Sequence, residues 1–169
     1  MEKAKISVII ICDANYNMIV GTDYELTMKT EFFKKLTFGN PIVMGRKLFE
    51  QLRKPIQCHS NIVLTHNDLI YKPIKTNGKR VHVAKNIEDV YRLTQQYEMM
   101  FIIGGIETIK EFIPIADCIY TIILGFDSLN NKENKFDTTG WYKVFKMEDF
   151  EKRIFCYQKF IKIKNLMKK

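Results

Sequence analysis

Five short runs dominated by apolar, mostly branched side chains punctuate this chain, at residues 6–12, 41–45, 61–65, 99–103 and 118–124. A strand with one wet face alternates apolar and polar residues, whereas a continuous apolar run suits a strand covered on both faces. Segments of helical character separate these runs. Strands alternating with helices imply an α/β fold, with a mostly parallel central sheet and helices on both faces. A shorter strand at 81–84 and a last one at 155–163 complete the list, the chain ending in a C-terminal antiparallel hairpin.

Thr27 is placed to cap a helix over 28–36, in which Met28, Phe32, Phe33 and Leu36 share one side. A second helix starts at Lys47 and runs to Leu52, Asn86 caps a third through residue 97, and a fourth covers 106–113 ahead of Pro114. Loops are expected at 13–21, at the turn Thr76-Asn77-Gly78-Lys79 and around 130–134. At 169 residues, 46% of them hydrophobic, the chain can fill one good core, and the expectation is a single domain over 1–169.

No stretch approaches the ~20 apolar residues of a bilayer span, and the first residues lack the pattern of a cleaved leader. A soluble cytoplasmic protein is the expectation. Cys12, Cys58, Cys118 and Cys156 lie far apart with no Cys-x-x-Cys pair, and read as reduced, buried thiols. His59, His66 and His82 show no ligand spacing, so no metal is expected. The net charge of +8 would attract polyanions. Its lysines are scattered, however, and the tail cluster Lys159, Lys162, Lys164, Lys168 and Lys169 reads as a solvated face rather than a nucleic-acid surface.

Two glycine-marked turns follow apolar strands: Gly45-Arg46-Lys47, and Gly104-Gly105 ahead of a helix. Arginine and lysine beside a strand end can give charge-assisted hydrogen bonds to a phosphate. Paired glycines let backbone amides come close to one. Ordinary surface cations would look the same in isolation.

The joint order is more specific than any single block. A first strand, a loop to Gly21, a helix with Phe33 and Thr37, then Pro41-Ile42-Val43-Met44-Gly45-Arg46-Lys47, Asn61-Ile62-Val63-Leu64-Thr65, Ile102-Ile103-Gly104-Gly105 and Lys135-Phe136-Asp137 before Trp141 resembles the dihydrofolate reductase family from end to end. The resemblance implies the dihydrofolate-reductase fold and a pocket with two halves. For the NADPH half it implies Cys12, Ile19, Gly21, Gly45, Arg46, Lys47, Leu48, Thr65, His66, Lys85, Gly104, Gly105 and Ile106. For the half that takes a pterin or folate it implies Ile11, Phe33, Leu52, Ile56, His59, Ile103 and Ile122. A thymidylate synthase partner is compatible with the family, and no residue speaks to it.

Several of these positions depart from the family's pattern. Leu48 lacks the hydroxyl usual after Gly-Arg-Lys, and Ile106 replaces a small residue after Gly-Gly. The carboxylate that the family places four residues before Phe33, where it supports protonation of the pteridine, is Lys29 here. Glu31, the nearest carboxylate, is two residues before Phe33, about 200° round a helix. The threonine that supports the family's carboxylate matches Ile122, with Thr121 one step away on the other sheet face. The arginine that clamps the substrate's glutamate matches His59. The loop from Gly21 to Tyr24 is shorter than the family's mobile loop.

Three readings of Lys29 follow: a solvent-facing lysine on a helix of slightly different register, a stem packed in a pocket no longer used for chemistry, or a proton donor or anion partner for another substrate. Two functions are therefore expected in parallel. One is an NADPH-dependent oxidoreductase that is poor on dihydrofolate. The other is a catalytically silent homologue serving as a binding or structural module.

Overall fold

The five apolar runs become β1 (Lys5–Cys12), β2 (Pro41–Gly45), β3 (Ser60–Leu64), β5 (Met99–Gly104) and β6 (Cys118–Leu124) of one eight-stranded sheet. The computed structural model describes residues 3–19, 27–52, 54–57, 60–66, 81–125, 134–148 and 154–163. With β4 (Val81–Ala84), β7 (Trp141–Glu148) and β8 (Ile154–Lys162), the strand order is β4-β3-β2-β5-β1-β6-β8-β7. All pairs are parallel except β6 with β8 and β8 with β7.

Helices α1 (Glu31–Thr37) and α2 (Arg46–Leu52) bring Phe33, Leu48 and Phe49 onto one face of the sheet, with Ile9, Ile11, Ile103 and Ile122. Helices α3 (Ile87–Thr94) and α4 (Ile106–Phe112) bring Val90, Ile109 and Phe112 onto the other, with Val8, Ile10 and Ile102. Alternate residues of β1 therefore enter two different cores, which is why its sequence has no polar face. Each such side chain contributes roughly 1.5–3 kcal/mol by leaving water.

Three expectations need correction. The helix expected over 28–36 is broken: residues 27–28 are helical, 29–30 form a turn, and α1 starts at Glu31 with Thr30 as its cap, accepting the Phe33 N–H at 3.2 Å while its own hydroxyl donates to the Thr27 carbonyl at 2.7 Å. The Thr30 N–H also donates to the Thr27 carbonyl, at 3.1 Å, closing the turn between the two helical pieces. The third helix stops at Thr94, whose hydroxyl donates back to the Val90 carbonyl at 2.9 Å, with residues 95–96 in a turn. Strand β7 was not anticipated. It is an edge strand, exposed at 142–147 with a bulge between Lys143 and Phe145, so it carries neither a continuous apolar run nor clean alternation. The turns at 76–79 and 130–133 lie outside the described residues.

The loop after β1 is built around Asp13, which is fully buried. Its carboxylate accepts the N–H groups of Asn15 at 2.8 Å and Asn17 at 3.0 Å, and the Asn17 amide at 2.8 Å. The chain then returns so that Ile19 N–H donates to the Ile11 carbonyl at 2.9 Å. Among the described residues, no helix is long and apolar enough to cross a membrane.

Candidate active site

Parallel pairing brings the carboxyl ends of neighbouring strands together, and ligands of open α/β sheets bind beyond those ends. Gly45 pairs with Leu64, and Met44 with Gly104, so the turns after β2, β3 and β5 meet. Around them opens a cavity of about 350 Å³ whose wall includes Gly45, Arg46, Lys47, Leu48, Gly105 and Ile106. His66 lies on the same wall.

Each glycine here has its own reason. Gly104 has φ 140°, a conformation that L side chains rarely adopt. Gly45 is held small by packing: an added Cβ would lie 2.6 Å from the Thr108 hydroxyl oxygen. A Cβ on Gly105 would meet nothing within 4 Å, leaving open space over that backbone. Two cations beside an open glycine backbone are a donor set that fits the phosphates of a dinucleotide.

The remaining residues expected to contact cofactor are spread differently. Thr65 is buried, its N–H bonded to the Ala84 carbonyl at 3.0 Å, and this holds His66 at the cavity. Lys85 follows β4 and is exposed; its N–H donates to Asp89 at 3.0 Å. Cys12 is fully buried and belongs to the core face opposite Phe33, and burial pushes its thiol far above the ordinary range. Ile19 packs with Ile11, on the Phe33 face. Gly21 lies outside the described residues.

A second cavity, of about 220 Å³, opens between α1 and the segment after α2. Lys29, Phe33, Leu52 and Ile56 line it, as the expected site residues do, together with Lys34 and Lys54. Lys29 is exposed and precedes α1, so it shares this wall with Phe33 without belonging to the same helix. Glu31 is not part of this wall, but it forms an exposed ion pair, 2.8 Å long, with Lys34, which is. Ile11, Ile103 and Ile122 sit deeper, no more than 2% exposed, packed in one cluster with Phe33. His59 lies outside the described residues.

The sheet face beyond Ile122 carries Tyr157, which is buried with Phe32 stacked on it at 3.9 Å between ring centroids. Farther along are Cys118 and Tyr120. Burial raises both their acid groups, and a hydrogen bond that the Lys159 ammonium donates to the Tyr120 oxygen raises the lysine. Thr121, on the opposite face, is fully buried, and its hydroxyl has no hydrogen-bond partner among the described residues.

Several lining residues escaped the sequence reading. Glu107, Thr108 and Glu111 belong to the first cavity. They follow Gly105 on α4, and Glu107 and Glu111 are four apart, on one helix side. That spacing was visible and could have been used. Lys34 and Lys54 belong to the second cavity, but Lys54 reaches it only through the turn after α2, which no periodicity reports.

Fold and site together define an α/β protein with one cavity at the carboxyl ends of β2, β3 and β5 and a second between α1 and the segment after α2. Comparison with known proteins gives the class a name. The family model for dihydrofolate reductase matches residues 5–159. The dihydrofolate reductase of Bacillus subtilis is 29% identical over 144 residues, covering 82% of this chain and 81% of that protein. Dihydrofolate reductase type 3 of Salmonella typhimurium is 28% identical over 136 residues, covering 76% of this chain and 79% of that protein. Among solved structures, dihydrofolate reductase from Enterococcus faecalis complexed with NADP(H) and RAB-propyl has the same fold. Its TM-score is 0.68 at 22% identity, over 94% of this chain and 96% of that one. The chain belongs to the dihydrofolate reductase family.

Proposed function

We propose that this chain is a single-domain oxidoreductase that uses NADPH and has a substrate half altered from that of ordinary dihydrofolate reduction. The observation that carries this reading is the wall of the outer cavity, where Lys29 stands in company with Lys34 and Lys54. A carboxylate at the position of Lys29 would favour protonation of the bound pteridine; an ammonium there repels that cation. The same replacement removes a general acid–base contribution of about 10²–10⁴ in rate. Deeper in the fold, Ile122 offers no hydroxyl to a substrate, and Ile11 and Ile103 add aliphatic bulk around it.

The cofactor half keeps more of its chemistry. Arg46 and Lys47 supply positive charge, and the backbone at Gly105 is open to approach. NADPH, when bound, supplies a hydride. The chain's own part is to hold the dinucleotide between the turns after β2 and β5 and to shape the apolar wall formed by Phe33, Leu52 and Ile56.

The test is nicotinamide absorbance with dihydrofolate, run beside the Bacillus subtilis enzyme. Wild-type turnover is expected at least about 10²-fold lower than that reference. Lys29→Asp should recover only part of the deficit, because Ile122 and His59 remain. Full recovery in that single variant would refute the reading.

A further inference from the structure

The cavity at Gly45 and Gly105 carries acids as well as bases. Arg46 and Lys47 face it from the start of α2, while Glu107 and Glu111 face it from α4. The two cations Arg46 and Lys47 are matched by the two carboxylates Glu107 and Glu111. The cations are not fully available either, since the Arg46 guanidinium donates to Glu50 at 2.9 Å. On the other wall, His66 Nε2 lies 3.5 Å from Glu111 Oε2.

From this balance we infer that Glu107 and Glu111 are specificity-determining residues that weaken selection for the phosphorylated dinucleotide, so that NADH binds within about tenfold of NADPH. The inference rests on the cofactor reading above and goes beyond it. A ribose 2'-phosphate adds close to two negative charges at neutral pH. In a wall of balanced charge, those extra charges find as much repulsion as attraction. A ribose 2'-hydroxyl meets no such penalty, and a carboxylate is a good acceptor for it. Both acids are on one side of a helix anchored in the core through Ile109 and Phe112, so neither can swing away by a loop movement.

The difference between the two dinucleotides is read by binding, without turnover. Wild type, Glu107→Gln and Glu111→Gln are titrated with NADPH and with NADH, following nicotinamide fluorescence, and with 2',5'-ADP against 5'-AMP by calorimetry. Each glutamine variant should tighten NADPH by about 3–10-fold and change NADH by less than about twofold, as expected for removing one charge at cavity distance in a wet site. The gain should shrink at high salt. The thermal midpoint of each variant checks that the fold is retained, and the two substitutions serve as independent tests. The inference is overturned if wild type prefers NADPH by more than about tenfold, or if the variants move both dinucleotides equally or neither. Failure of every form to bind any dinucleotide would instead overturn the cofactor reading itself, and this inference with it.

Discussion

Gly45→Ala separates two explanations for the glycine in Gly45-Arg46-Lys47. If the glycine serves only a ligand, alanine should fold normally and bind poorly. The structure gives a different answer, because the new Cβ would stand 2.6 Å from the Thr108 hydroxyl oxygen, far inside van der Waals contact. Thr108 is only 6% exposed on α4, and its hydroxyl oxygen must shift for the new Cβ to fit. Overpacking of this kind costs about 1–3 kcal/mol. Gly45 does not have a positive φ, so alanine also gains about 0.4–1 kcal/mol by restricting the unfolded chain. The net expectation is destabilisation by roughly 1–2 kcal/mol, measured by urea unfolding. Thr108→Ala removes the obstructing atom, so the double variant Gly45→Ala with Thr108→Ala should be more stable than the sum of the singles predicts. Costs that add to within about 0.3–0.5 kcal/mol would show no coupling and refute the packing argument.

Other consequences are as direct. Thr121→Val replaces a buried hydroxyl that has no partner among the described residues with a methyl of similar shape, and should raise stability by about 1–3 kcal/mol in the same urea assay; a loss of stability would mean the hydroxyl has a role. The Lys159 ammonium is raised by Tyr120, so its contribution to stability is complete below the lysine value of the unfolded chain and fades as pH rises through the folded one. Tyr120→Phe should therefore flatten the alkaline limb of stability against pH, and an unchanged limb would count against that bond. Cys12, buried with its thiol raised, should resist alkylation in the native protein and react only on unfolding; rapid native labelling of Cys12 by mass spectrometry would contradict its placement.

What could be read from the sequence follows from how local each signal is. β1 and β6 were legible because strands buried on both faces need no contrast between neighbours, and Ile6 to Cys12 shows none. β7 was not, since an edge strand owes its place to β8 and its side chains to solvent. The break at 29–30 was not legible because Met28, Phe32 and Leu36 keep helical spacing across it, and only the bonds between Thr30 and Thr27 mark it. The turns at Gly45 and Gly104 announced the first cavity through their glycines and cations. Glu107 and Glu111 follow in plain helical spacing, but which way their side of α4 faces is set by the packing of Ile109 and Phe112 into the core. Lys29 was identified from position alone. Of its company, Lys34 is on α1, whereas Lys54 depends on how the turn after α2 folds back, which is a tertiary fact.

The order β6-β8-β7 also bears on how the protein is made. β8 follows β7 in the chain yet lies between β7 and β6 in the sheet. As the chain leaves the ribosome, Trp141–Glu148 emerges with nothing to pair with, displaying Tyr142, Phe145 and Met147. Only when the following strand slides between its neighbours is the sheet closed on that side. Synthesis thus passes through an interval in which a finished parallel sheet carries a loose, sticky ribbon, and a pause or truncation between residues 148 and 154 would leave it for a chaperone or an aggregate.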